Sequence, residues 1–319
     1  MKFYPSKQLT EFLNATVFGK KYPIHEFALE GPKGSGKTEA AKFIHRELME
    51  KDKEFTEDSF LHFVCSKETS FADFTAEKTI KDGSIEDKVQ AFLTTISKPS
   101  VILVDEYKLA QPDVHAGLNS LLDNCKSITL ASGQVHVRHP KSIIIFSTNP
   151  ETYAGVKRQH SGFIDRLPTF EMEYTDKEDK ILRERYPELK KTLAKKFQKF
   201  AQLMRNAKAT KGIRTEVSTR ALEIAAKMTV NGIKPEKSLL MAIKPMEDEM
   251  TVFGEYMKLV MNATLVKVKE GKKVTEELSL LAGLETKLKD TEKKNKESRE
   301  KVASLQTKLE EIFKAAGLC

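Results

Sequence analysis

Residues 31–38 read Gly-Pro-Lys-Gly-Ser-Gly-Lys-Thr: a glycine, four residues, then Gly36-Lys37-Thr38. The run before it, Phe27-Ala28-Leu29-Glu30, reads as a short buried strand, and Glu39 to Glu50 after it reads as a helix. A strand, a glycine loop and a helix in that order constrain this chain more than any other feature. Glycines let backbone amides close around phosphate oxygens, and the helix N-terminus adds a fixed partial positive charge. In that arrangement Gly31, Pro32, Lys33, Gly34, Ser35 and Gly36 form the cradle. Lys37 is expected to reach the β/γ-phosphates, and the Thr38 hydroxyl to ligate Mg²⁺. A glycine-rich turn that merely caps a helix is the plainer alternative; the flanking strand and helix together favour the phosphate loop.

Further strands are expected at 60–65, 101–105 and 143–147, with a weaker one from Pro168 to Met172. Short, β-branched, non-alternating runs suit a parallel sheet covered on both faces. Helices are expected between them at Lys37–Lys51, Ile85–Ser97 and Val114–Asp123. After about Glu173 the strands stop. Asp176–Arg185 (with Thr175 as its cap), Glu188–Ala207, Ser218–Val230 and Lys237–Leu265 read as helices. The reading is an α/β nucleotide-binding domain over 1–174, a helical lid over 175–265 and a Lys/Glu-rich tail over 266–319. In the tail, Leu281, Leu284, Leu288, Val302, Leu305, Leu309 and Ile312 share one a/d register, but Thr291, Asn295 and Ser298 occupy its middle. A pairing coiled-coil helix and a long solvated helix both fit that pattern.

Composition narrows the partners. The chain has 319 residues, 31% of them charged, and a formal net charge of +8. That balance permits nucleic-acid or acidic-protein partners without establishing either. No apolar stretch approaches membrane-spanning length, and the start lacks the apolar core of a secretory signal. The three cysteines, Cys65, Cys125 and Cys319, are scattered, which points to free thiols in a reducing, cytoplasmic setting. His136 and His139 have no cysteine partner or metal-binding frame, so loop histidines are expected there.

Asp105-Glu106 closes the third strand. After a phosphate loop in a parallel sheet, the first acid is expected to face Mg²⁺ and the second to orient or deprotonate an attacking water. Ser147-Thr148-Asn149-Pro150 closes the neighbouring strand and offers a polar group for that water or the γ-phosphate. Arg166 precedes the fifth strand; a surface ion pair is its plainer reading.

This ordered set, together with Ser218-Thr219-Arg220, resembles the AAA+ ATPases over roughly residues 1–245. Gln111-Pro112-Asp113-Val114, Leu121-Leu122-Asp123 and Gly133 to Pro140 ahead of Ile143–Pro150 are similar to the MoxR-like branch, which includes the CbbQ and NorQ activases and lies near the MCM helicases. The resemblance implies a P-loop NTPase sheet of five parallel strands with helices on both faces. It implies Asn149 as sensor 1, Arg166 as an arginine finger acting on a neighbouring subunit, and Arg220 as a nucleotide-contacting lid arginine. It also implies a hairpin around 128–140 that projects toward a ring pore. Between Cys65 and Ile85, where the branch carries a glycine-marked segment with an inserted hairpin, only Gly83 is present, so a short or reshaped insert is expected.

The expected function is therefore an ATP- and Mg²⁺-dependent hydrolase, a hexameric homo-oligomeric ring that remodels or activates a client protein, by resemblance often one with a von Willebrand A domain. Arg138, His139 and Lys141 on the hairpin keep a nucleic-acid motor open as an alternative. A nucleotide switch that does not hydrolyse is a second alternative, against which Glu106 argues.

Overall fold

The computed structural model describes residues 3–262 apart from 82–83, 124, 151–162, 164–165 and 212. The tail after 265, Gly83 and Asp165 lie outside the described residues. The chain runs α1 (Lys7–Ala15), β1 (Glu26–Glu30), α2 (Lys37–Lys51), β2 (Phe60–Val64), α3 (Phe71–Phe74), β3 (Ala76–Lys81), β4 (Ser84–Val89), α4 (Ala91–Ile96), β5 (Ser100–Asp105), α5 (Pro112–Leu122), β6 (Ser127–Thr129), β7 (Val135–Val137), β8 (Ser142–Thr148) and β9 (Thr169–Glu171). Helices then take over: α6 (Glu178–Arg185), α7 (Lys191–Lys211), α8 (Thr219–Val230), α9 (Pro235–Ile243) and α10 (Met250–Asn262).

Five strands form one parallel sheet in the order β2-β5-β8-β1-β9. The continuous apolar runs arise because both faces are covered. Ala28, Ile102, Val104, Ile144 and Phe146 pack with Phe74, Phe92 and Leu118 on one side. Phe27, Leu29, Val101, Leu103, Ile143 and Ile145 pack with Leu9, Leu13, Ala40 and Ile44 on the other. Alternate residues of each strand thus serve opposite cores, so no polar alternation is left to see. A third core, with Leu182, Phe197, Phe200, Leu222 and Phe253, joins the later helices.

Register sets the site. Val64 pairs with Asp105, Val104 with Phe146 and Glu30 with Thr148, which brings the C-terminal ends of four adjacent strands to one edge. Ligands of open parallel sheets bind at that edge, where the order of strands reverses.

Three expectations change. Ile85–Ser97 is not one helix: Ser84–Val89 pairs antiparallel with Ala76–Lys81, and the helix is confined to Ala91–Ile96. The inserted hairpin is therefore present as two paired six-residue strands. Lys237–Leu265 is broken as far as it is described. Its first helix ends at Ile243, Lys244 has φ +53° ahead of Pro245, and α10 begins only at Met250. Proline removes a donor and disfavours helical backbone in the residue before it. Thr175 does not cap α6 directly. Lys177 is the cap residue, and its amide donates to Thr175 Oγ1 at 3.2 Å. Helix α1 was not expected; Ser6 caps it by accepting from the Leu9 amide.

Candidate nucleotide site

Loop 31–38 leads into α2 through Gly36, which has φ +96° and contributes no side-chain cap. The first-turn amides of a 15-residue helix are thus left to an anion at its N-terminus. Gly31 has a different constraint. A Cβ there would stand 2.3 Å from the Met172 carbonyl oxygen, so the loop runs directly against the chain leaving β9.

Lys33, Gly34, Ser35, Gly36, Lys37, Thr38, Asp105, Glu106, Asn149 and Arg220 all line one cavity of about 980 Å³. Lys37 Nζ donates to the Gly31 carbonyl at 2.6 Å, the Pro32 carbonyl at 3.1 Å and Asn149 Oδ1 at 3.1 Å. Burial pushes the Lys37 ammonium below its ordinary pKa, and the carboxylates of Glu106 and Asp105 pull it back. Asn149 is 4% exposed, and its Nδ2 donates to Glu106 Oε1 at 2.6 Å. One amide therefore spans the loop lysine and the second acid. Glu106 itself has φ +55°, left-handed backbone that is uncommon for a side chain larger than glycine and concentrates at functional sites.

Asp105 is held from several directions. Ser147 Oγ and the Glu106 amide donate to Oδ1. Thr38 Oγ1 at 3.5 Å and His62 Nε2 at 3.0 Å approach Oδ2. The hydroxyl and carboxylate oxygens fit a hard cation such as Mg²⁺. The cradle also fits phosphate: Ser35 Oγ is buried among the loop residues without a hydrogen-bond partner. Among the described residues, no cluster of three or more His, Cys, Asp or Glu side chains forms a separate metal centre.

Arg220 enters the cavity from α8. Beside it stand Arg185 and Glu223, which bond to each other. Burial raises the Glu223 carboxyl above its ordinary pKa, while Arg185 and Arg220 oppose the rise. Arg166 lies elsewhere: it is exposed, and its Nε donates to Asp123 Oδ1 at 2.6 Å. The site residues that sequence reasoning missed are His62, Ser147 as a ligand of Asp105, Arg185, and Lys108. Lys108 Nζ lies 3.1 Å from Glu30 Oε2 and ties the turn after Glu106 to the end of β1.

Of the cations at the hairpin, Arg138 is turned into the fold, while Lys141 is half-exposed and held by an acid pair. Arg138 is 3% exposed and donates to the carbonyls of Leu121, His25 and Ser142 and to Glu26 Oε2. Lys141 Nζ sits 2.6 Å from both Asp52 and Glu54. The thiols of Cys65 and Cys125 are free, as expected; burial, followed by the charge of Asp105, pushes Cys65 up to about 12.

A parallel sheet that feeds a glycine loop into a helix, with an acid pair on a central strand, defines a P-loop NTPase. Comparison with known proteins narrows that class. Residues 26–167 match the AAA domain (dynein-related subfamily), and residues 178–267 match the CbbQ/NirQ/NorQ C-terminal family. The two matches together are those of an AAA+ ATPase of the MoxR-like branch. Gas vesicle ATPase GvpN of Ancylobacter aquaticus is 26% identical over 193 residues, which is 52% of this chain and 48% of that protein. Midasin of Giardia intestinalis is 28% identical over 141 residues, 44% of this chain and 3% of midasin. The chain thus spans about half the length of the first relative and a small part of the second. A crystal structure assigned as an ATPase from Cytophaga hutchinsonii aligns at 13% identity over 76% of this chain and 86% of that one. Its TM-score is 0.38, a likeness too loose to carry further weight. Among the described residues no helix is long and apolar enough to cross a membrane.

Proposed function

We propose that the chain binds ATP with Mg²⁺ and hydrolyses it within a homo-oligomeric, hexameric ring, and that the cycle remodels or activates a client protein. The observation that carries this reading is one cavity that gathers Lys33 to Thr38 of the loop with Asp105, Glu106, Asn149 and Arg220. Loop amides and Lys37 hold the phosphates, and Thr38 and Asp105 hold the cation. Bound there, Mg²⁺ supplies charge neutralisation across the phosphate oxygens. Glu106, aimed by Asn149, orients the attacking water and takes up its proton. Arg220 contacts the nucleotide from the helical side.

Arg166 completes the reading from outside its own cavity. Its exposure suits a group offered to a neighbouring subunit, for which it would have to leave Asp123; an arginine supplied in trans is worth roughly 10³–10⁵ in rate. Ring assembly and turnover are then one property. Burial of Arg138 within the fold weighs against a nucleic-acid grip, and the partner proposed is a protein client, by family resemblance of the von Willebrand A kind.

The test is Glu106→Gln. The variant is expected to bind ATP, release little phosphate and retain its client in a pull-down from cells. Normal phosphate release by the variant would remove Glu106 from this role, and no phosphate release by the unmodified chain would remove the hydrolase reading.

A further inference from the structure

The chain crosses from the sheet to the later helices just after β9, and Tyr174 stands at that crossing, on the wall of the cavity. Its hydroxyl lies 2.9 Å from the Lys33 carbonyl of the phosphate loop and 2.9 Å from Glu216 Oε1, which precedes α8. A tyrosine hydroxyl has one proton, and a carbonyl and an ionised carboxylate only accept. Loop and helical segment therefore draw on the same donor.

The ring carries a second link. The Arg205 guanidinium lies over it, 3.6 Å from the centroid. Arg205 forks onto Glu178, Nη1 to Oε2 at 2.9 Å and Nη2 to Oε1 at 2.7 Å, while its Nε donates to the Val217 carbonyl at 2.8 Å. The Glu178 side chain is 0% exposed. The same carboxylate accepts from Thr219 Oγ1 at 2.5 Å, and Thr219 is the first residue of α8, adjacent to Arg220. A buried carboxylate satisfied by a two-pronged arginine and a hydroxyl resists displacement of any one partner, because the others would be left with an uncompensated charge. Tyr174, Arg205, Glu178 and Thr219 thus form a continuous path of contacts between the loop and the helix that presents Arg220.

We infer that Tyr174 is a positioning residue that couples the phosphate loop to the placement of Arg220. The inference rests on the reading of both as nucleotide-binding. A shift of the loop at Lys33 alters the hold on Tyr174, and the stacked Arg205 passes that shift to Glu178 and the start of α8. The nucleotide is then felt at the loop and at Arg220 as one event.

A double-mutant cycle tests this in the full chain, with a fluorescent methylanthraniloyl-ATP and Mg²⁺ as the probe. Tyr174→Phe keeps the ring over Arg205 and removes the hydroxyl alone. It is expected to weaken binding by roughly 2- to 10-fold, as loss of one hydrogen bond would. In an Arg220→Ala background most of that loss should vanish. Losses that multiply would show that the hydroxyl serves the loop alone and would overturn the inference. Should Tyr174→Phe melt early, Glu216→Gln in its place is judged by the same criterion. If the unmodified chain does not bind the probe, or Lys37→Ala binds it equally well, the nucleotide-site reading itself fails. If those controls behave and the cycle is multiplicative, only the coupling through Tyr174 fails.

Discussion

Truncating Asn149 to alanine removes two contacts of unequal weight. Lys37 loses its 3.1 Å acceptor but keeps the Gly31 and Pro32 carbonyls at 2.6 and 3.1 Å. Glu106 loses the amide that donates to Oε1 at 2.6 Å, and its carboxylate is free to swing into the cavity. A hydrogen bond to a charged group is worth about 1.5–3 kcal/mol. If that bond aims Glu106 in the transition state, its loss lowers kcat by roughly 10- to 150-fold, at about 1.36 kcal/mol per decade. Binding of ATP should change little, because the loop amides and the remaining lysine contacts stay. Steady-state phosphate release and fluorescent-nucleotide titration, run on the same preparation, separate the two quantities. Asn149→Asp sharpens the comparison: it keeps an acceptor for Lys37 but faces Glu106 with a like charge, so its turnover should fall at least as far. Turnover of Asn149→Ala at the unmodified rate would refute the role given to the amide. So would a loss of binding as complete as that of Lys37→Ala.

Gly31→Ala places a Cβ 2.3 Å from a backbone oxygen that cannot step aside. An overpacking cost of about 1–3 kcal/mol is expected, read as a lower Tm together with weaker nucleotide binding, and an unchanged Tm would contradict the packing argument. Arg166→Ala and Lys37→Ala subunits, each inactive alone, should recover part of the activity when mixed; mixtures as dead as either parent would count against an arginine acting in trans. Burial lowers the pKa of His25, His45 and His115 in the folded chain. The unfolded chain therefore takes up protons first, and stability should begin to fall as pH drops through about 6.5, the ordinary histidine value. Glu223, raised by burial, works in the opposite direction at its own titration. A Tm that is flat or rising from pH 7.5 to 5.5 would contradict the histidine assignment.

The sheet was legible because its strands are buried on both faces and flanked by motifs that need a strand end. Val101–Val104 and Ile143–Phe146 are uninterrupted apolar runs, and the polar residues that follow them are part of the site. The misread segment at 85–97 had a signal of its own: Asp82-Gly83 in the sequence is a dipeptide that favours a hairpin turn. Ile85, Val89 and Leu93 also fit a helical spacing, and pairing with Ala76–Lys81 overrode it. Pro245 likewise marked the break in the last helices. His62 was beyond reach, because its role depends on the register that sets β2 beside β5. The link from Tyr174 to Lys33 spans 141 residues and has no local pattern at all.

Arg138 has a consequence for how this protein can diversify. Its guanidinium fastens the base of the β6–β7 hairpin to α5, β8 and the start of β1. At the far end, Gly133 has open space around it, and Ala131 to Gln134 are exposed. The outer turn can therefore be exchanged or lengthened at little thermodynamic expense. A graft there would change what the hairpin meets and leave the chemistry at Glu106 untouched, which makes that turn the natural place to re-target the molecule.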